Sequence, residues 1–453
     1  MDPLGFPGPA IARNPLHHPT FTRKGHPMHS PTTVWRRRTA VAAVAAAAAV
    51  VISGCAPSGS LNDDNDTPSG DANTFKVGLL APMTGFVSAI GTDMKQGWDL
   101  YFEEHGTTFG NFTVETVLED DASSTDTALT KANRLVTEEK VDVVVGPVLA
   151  NQALAVADYL AEEGVANLAQ TSADDVTQRN YSPLVLRTGA QGGSQSTFAG
   201  GQWAYEEGYR TATTICVDYA FGWESCGGFV SAFTDAGGEV IEQLWYPGDA
   251  TDLSTYVSQL LNSGADLVYA GTAGGTDSSN FLRSASDFGL LDKTPVLANC
   301  CTTDQAILQD VGDLSIGVQS VSYYSESSED SKEFVEAFEA KYGLIPSSYA
   351  LGAYASAQLL AATLESADEK LTGEELISAI KGADLSDSPW GDISFDDYNN
   401  VVGPVMIRTV EKRADGKLWN KVDKTYQGVS QFWTFDPEEY LKAPSFSPTY
   451  TGQ

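Results

Sequence analysis

From Phe75 onward, short apolar runs alternate with amphipathic stretches, and that alternation leaves few architectures open. FKVGLLA (75–81) has the pattern of a buried strand. TDMKQGWDLYFEEH (92–105) places Met94, Trp98, Tyr101 and Phe102 at helical spacing. NFTVETVLED, TDTALTKANRLVTEEK, VDVVVG, NQALAVADYLAEEG and VANLAQ continue as strand, helix, strand, helix and strand. Near-continuous apolar strands separated by helices belong to a parallel sheet covered on both faces. The expected class is α/β.

The rhythm breaks at RTGAQGGSQS (187–196), then restarts. TFAGGQWAYEEG reads as helix, TATTICVD as strand, residues 222–236 as helix and EVIEQLWY as strand. TYVSQLLNSG, ADLVYAG, SNFLRSASDFG and TPVLAN repeat the alternation, so a second α/β unit is expected. After IGVQSVSYY (316–324) come two helices, SKEFVEAFEAKYG and SYALGAYASAQLLAATLESA. The tail differs. DISFDDYNN, PVMIRTVEKRADGKLW and KVDKTYQG read as strands joined by Asn-Asn and Asp-Gly turns.

The N-terminus reads as an export signal. Arg36-Arg37-Arg38 precedes the apolar run TAVAAVAAAAAVVIS, which is shorter than the ~20 residues a spanning helix needs. Ile52-Ser53-Gly54-Cys55 resembles the bacterial lipobox, which implies lipidation of Cys55 and cleavage before it. Residues 1–54 are thus expected to be a signal peptide and 55–74 a polar tether. Residues 1–27 are rich in Pro and His, and Met28 is the expected true start. The chain is strongly acidic, with 60 Asp+Glu against 27 Lys+Arg. That argues against nucleic acid as a partner, because phosphates call for a basic footprint.

Catalytic patterns are not found: no Gly-x-Ser-x-Gly elbow, no Walker A, and only His105 beyond Cys55. Neither a cofactor nor a metal is expected. Besides Cys55 there are four cysteines, and three connectivities are possible for them. Cys216 ends a strand pattern and Cys226 falls in the next helix, so this pair is the favoured disulfide. Cys300 and Cys301 are adjacent, where a bridge would be strained. In two-unit α/β proteins, ligands sit beyond the carboxyl ends of strands and between domains. A binding protein is the expectation from the residues alone.

FKVGLLAPMTGFVSAIGTDMKQGWDL, VDVVVGP, TSADDVTQRNYSPLVLRTG, VDYAFGWE and TYVSQLLNSGADLVYAG resemble the branched-chain amino acid and amide class of ABC-importer solute-binding proteins. The likeness runs from about Phe75 to Tyr440. It implies a type I periplasmic binding protein: two Rossmann-like lobes with parallel-rich sheets, joined by three crossing segments and closing on ligand like a hinged clamp. The crossings are expected near Thr188–Gln195, Gln319–Ser325 and Trp390–Ser394. Residues 75–190 with 322–392 would form lobe 1, and 191–321 with 393–453 lobe 2. The implied partners are an ABC permease and its ATPase, with the membrane reached through the lipid anchor on the outer face and the receptor itself a monomer. The ligand-binding part of a surface sensor is the alternative from another class.

Matched residue by residue, the resemblance puts Ala150 and Asn151 at the helix start that holds a ligand carboxylate. Gln170, Thr171 and Ser172 fall on the next ligand loop, unless the hydroxyls of Thr171 and Ser172 only cap it. Tyr219 and Phe221 take the place of a covering aromatic, Phe221 having a core role as its alternative. Tyr323 and Tyr324 either line the cleft or pack behind it. The acid that pairs with an α-ammonium in amino acid binders falls near Cys300, Cys301 and Thr302, where this chain has no carboxylate. VDYAFGWE and TYQGVSQFWTFDPEEY look more like relatives that take benzoate-type acids. The expected ligand is an aromatic or otherwise apolar carboxylate, with a branched-chain amino acid or amide as the alternative.

Overall fold

The computed structural model describes residues 73–384 and 387–451. The expected signal peptide and Cys55 lie outside the described residues, as does nearly all of the tether. No helix among the described residues is long and apolar enough to cross a membrane.

The first sheet is built by β1 (Thr74–Ala81), β2 (Thr108–Phe109), β3 (Phe112–Asp120), β4 (Val143–Val145), β5 (Ala166–Ala169) and β6 (Val185–Arg187), interleaved with α1 (Ser88–His105), α2 (Thr125–Arg134) and α3 (Ala150–Glu162). Thr74, assigned to the tether from sequence, already pairs with Thr113. The strand order is β2-β3-β1-β4-β5-β6, parallel except for the β2–β3 hairpin. β1 thus has β3 on one side and β4 on the other, which makes the crevice beyond Ala81 and Val145 a topological switch point.

The chain then builds the second sheet. Its elements are α4 (Gln195–Glu206), β7 (Thr211–Val217), α5 (Ala220–Asp235), β8 (Glu239–Tyr246), α6 (Ser254–Ser263), β9 (Leu267–Gly271), α7 (Gly275–Asp287), α8 (Leu290–Lys293), β10 (Val296–Ala298), α9 (Gln305–Val311) and β11 (Gln319–Ser322). It next returns to pack α10 (Lys332–Tyr342), α11 (Ser348–Ser366) and α12 (Gly373–Lys381) on the first sheet, where Phe334, Tyr354, Leu364 and Ile380 join Phe75 and Trp98 in one core. Finally β12 (Ser394–Phe395), β13 (Val401–Lys412) and β14 (Leu418–Val429) complete the second sheet, and α13 (Pro437–Lys442) closes the run. The order β12-β13-β11-β10-β9-β7-β8 puts a second switch point between β7 and β9.

The lobes are joined after β6, after β11 and after α12. The segment expected to cross from Gln319 is strand as far as Ser322 and pairs with both β10 and β13, so the second crossing starts at Tyr323. Crossings are tied to one another. Trp390 Nε1 donates to Tyr323 O at 3.0 Å and Arg187 N to Asn399 O at 3.0 Å. Asn399 takes φ 58°, in the left-handed region that Asn tolerates, as the Asn-Asn turn required. α11 runs unusually close to its neighbours. A Cβ on Gly97 would lie 2.0 Å from Ala350 O, and one on Gly352 2.0 Å from Gly189 O.

Several elements escaped the sequence reading: β6, α9, α12 and α13 are short or weakly periodic. The helix placed at 92–105 begins four residues earlier, at Ser88.

Candidate ligand-binding site between the lobes

Both switch points open onto one cavity. From the first lobe it is lined by Ile90 of α1, Leu149 and Ala150 after β4, Gln170 to Ala173 after β5, and Tyr349 of α11. The second lobe supplies Tyr219 and Phe221 after β7, Ala273 after β9, and Cys300 and Cys301 after β10; Tyr323 of the second crossing completes the wall. The cavity holds about 40 Å³, room for a few waters. It shares Leu149, Ala150, Tyr219 and Ala273 with a wider groove of about 630 Å³.

Helix ends rather than charged side chains line this cavity, while the buried Asp277, Glu224 and Asp304 act on its tyrosines from behind the wall. None of its lining residues is Asp, Glu, Lys, Arg or His. α3 starts at Ala150 and α5 at Ala220, and neither has a side-chain cap on its first N–H groups. Uncapped N-termini offer donors and a partial positive charge to an anion. The titratable walls stay neutral: burial pushes the Tyr219, Tyr323 and Tyr349 phenols upward. A hydrogen bond with Cys300, then burial, raises the Cys301 thiol.

Two buried arginines hold the loops that carry these residues, one in each lobe. Arg187, on β6, donates to Thr171 O, to Ala173 O at 2.6 Å and to Asn400 Oδ1 at 2.7 Å. Arg408, on β13, donates to Tyr324 O at 2.6 Å, Thr303 Oγ1 at 3.2 Å and Cys300 O at 3.4 Å. Sequence reasoning singled out neither. An Arg in an otherwise apolar strand was the available signal, since such a charge is buried only with partners.

The residues expected at the site divide. Ala150, Gln170, Thr171, Ser172, Tyr219, Phe221 and Cys300 line the inner cavity. Asn151 does not; it faces the outer groove. Thr302 is also displaced from expectation. It is fully buried behind the wall, bonded to Thr272 Oγ1 at 2.8 Å and Asn299 Oδ1 at 2.8 Å, because the turn after β10 rotates its hydroxyl inward. Gln170 lines the cavity, but its amide is occupied by Ser356 at 2.8 Å and Thr188 at 3.3 Å. The Thr171 hydroxyl accepts from Ala173 N at 3.2 Å, so it also stabilises its own loop. Tyr323 lines the cleft, whereas Tyr324 packs behind it with Oη on Pro346 O at 3.2 Å. Cys216 and Cys226 are bonded, with Cα atoms 6.2 Å apart. Cys300 and Cys301 are free thiols.

Comparison with known proteins agrees with this architecture. Residues 74–417 match the family model described as periplasmic binding protein. The chain is 30% identical over 369 residues to the Leu/Ile/Val-binding protein homolog 6 of Brucella abortus (strain 2308), covering 79% of this chain and 92% of that one. Among solved structures, an ABC transporter substrate-binding protein from Sphaerobacter thermophilus superimposes with TM-score 0.75 at 28% identity, covering 79% of this chain and 99% of that one. A solute-binding protein of an ABC transporter from Rhodopseudomonas palustris BisB5, in complex with 3,4-dihydroxy benzoic acid, gives TM-score 0.74 at 30% identity over 79% and 99%. With its sheets, crossings and interlobe cavity already in view, the chain belongs to the periplasmic binding protein family.

Proposed function

We propose that this protein is the extracytoplasmic solute-binding component of an ABC importer and takes an aromatic or apolar carboxylate between its lobes. One observation carries the ligand class: two uncapped helix N-termini meet an aromatic and thiol-lined cavity whose lining contains no charged side chain. The carboxylate would lie at the start of α3, near Ala150 and the Thr171–Ser172 loop, with Tyr219 and Phe221 against the ring. Because the closed cavity is small, entry requires the lobes to part. A zwitterionic amino acid fits less well. Its ammonium would meet Cys300 and Cys301 instead of a carboxylate, and a buried unpaired charge costs several kcal/mol.

The 3,4-dihydroxybenzoate complex of the R. palustris neighbour supports the aromatic class, and the Leu/Ile/Val-binding name of the Brucella relative supports the alternative. Calorimetric titration of the soluble protein with benzoate, 4-hydroxybenzoate, 3,4-dihydroxybenzoate, leucine, isoleucine and valine tests the choice. Binding of the benzoates is expected. Tight leucine binding without response to any benzoate reverses the reading. Anchoring at the outer face of the cytoplasmic membrane through lipidated Cys55, as a monomer, is part of the proposal. Replacing Cys55 with Ala should release the protein from membranes.

A further inference from the structure

We propose that Cys300 and Cys301 form a redox-reversible vicinal disulfide in the wall of the interlobe cavity, and that closing it weakens ligand binding. Both side chains are buried and both line the cavity, with Sγ atoms 3.5 Å apart. Their backbone is held in place: Arg408 Nη2 donates to Cys300 O at 3.4 Å and Ser278 Oγ to Cys301 O at 3.1 Å. The same chain carries the Cys216–Cys226 bond, which belongs to an oxidising compartment. Two thiols pinned side by side in such a compartment are within reach of bridging, because closure to about 2.05 Å asks for a shift of roughly 1.5 Å.

The bridge would be of the labile kind. Adjacent Cα atoms are about 3.8 Å apart, below the 4.4–6.8 Å typical of disulfides, and strained bridges are more easily reduced. Closing it also removes a contact between lobes. The Cys301 Sγ lies 3.5 Å from Oη of Tyr349, which stands on α11 against the first sheet. Drawing Cys301 toward Cys300 gives up that contact and reshapes the wall opposite Ala150.

The step balances by exchange with a small disulfide. A Cys thiolate attacks the glutathione disulfide, one glutathione thiol leaves, and the second Cys displaces the other. Two S–H bonds and one S–S bond are replaced by one S–S and two S–H, with two electrons passing to glutathione. The raised Cys301 thiol makes uncatalysed exchange slow, so hours of incubation are appropriate.

Formation of the bridge does not depend on the ligand class; only its effect on affinity uses the reading above. The protein is incubated with oxidised or with reduced glutathione, denatured, alkylated and digested, and the peptide containing residues 300–301 is weighed. Affinity for 4-hydroxybenzoate is measured on both forms, and on a Cys300→Ser/Cys301→Ser variant. The expected result is two alkylated cysteines after reduction, neither alkylation nor glutathione adduct after oxidation, about tenfold weaker binding by the oxidised form, and no redox response in the variant. Full alkylation after oxidation, a stable glutathione adduct, or affinities within about twofold overturn the proposal. Should neither form bind any compound of the panel, the ligand-class reading falls, and the alkylation pattern alone upholds or overturns the bridge.

Discussion

Asp304 joins the lobes in a way that a single atom change can measure. Its Oδ1 caps α9 by accepting from Ala306 N at 2.9 Å, a bond internal to the second lobe. Its Oδ2 reaches the start of α11, which packs on the first lobe, and accepts from Ser348 Oγ at 2.8 Å and Ser348 N at 3.2 Å. Opening the lobes would break the second pair and leave the first. Asp304→Asn keeps an oxygen for the cap, removes the negative charge beside the helix N-terminus, and sets an amide NH₂ against the Ser348 N–H. A hydrogen bond to a charged group contributes about 1.5–3 kcal/mol. With Ser348 Oγ free to turn and accept, a net loss of about 2 kcal/mol in the closed state is reasonable. At 1.4 kcal/mol per tenfold, that is roughly 30-fold weaker ligand binding. The cap survives, so the thermal midpoint of the ligand-free protein should hardly move. Calorimetry on wild type, Asp304→Asn, Ser348→Ala and the double variant gives the coupling directly. Affinity of Asp304→Asn within twofold of wild type, or a double variant that is simply the sum of the singles, would refute the latch.

Further expectations concern charge, packing and the aromatic wall. Burial raises Asp93 from its ordinary 3.8 to about 7, against the lowering bond from Ser347 and with a further rise from Asp304. Between those values the folded state holds the extra proton, so this group's contribution to stability is lost as pH climbs toward 7. Urea unfolding of Asp93→Asn should therefore fall less steeply than wild type from about pH 5 to pH 7, by on the order of 2 kcal/mol. Arg187→Lys cannot supply the forked donors that Thr171 O, Ala173 O and Asn400 Oδ1 share. It should lower unfolding stability by about 3 kcal/mol and weaken ligand binding as well. Tyr219→Ala should reduce benzoate affinity about tenfold or more, whereas Tyr219→Phe, which keeps the ring that packs against both cores and lines the cavity, should hold both the affinity and the unfolding midpoint close to wild type. Gly352→Ala drives a methyl into Gly189 O and should cost at least 1–3 kcal/mol by chemical unfolding.

Local chemistry decided much of this protein. Runs such as VVV (143–145) and LVYAG (267–271) are apolar throughout, so they read as strands covered on both faces, and helices between them force parallel order. Asn399 and Gly416 marked their turns through residue type alone. The family resemblance pointed to Ala150, Gln170 and Tyr219, and all three line the cavity, each just after the carboxyl end of a strand. What remained hidden depended on partners far apart along the chain. Arg187 meets Asn400 across 213 positions and Asp304 meets Ser348 across 44, and neither separation leaves a periodic trace. Thr302 differs from Cys300 only in the direction its side chain takes from a short turn, which sequence spacing does not specify. Hydrophobic periodicity is a property of each segment and could be read in order. The closing of two sheets onto one cavity, with buried arginines and a carboxylate holding the loops, is set by three-dimensional packing, and only the tertiary structure decided it.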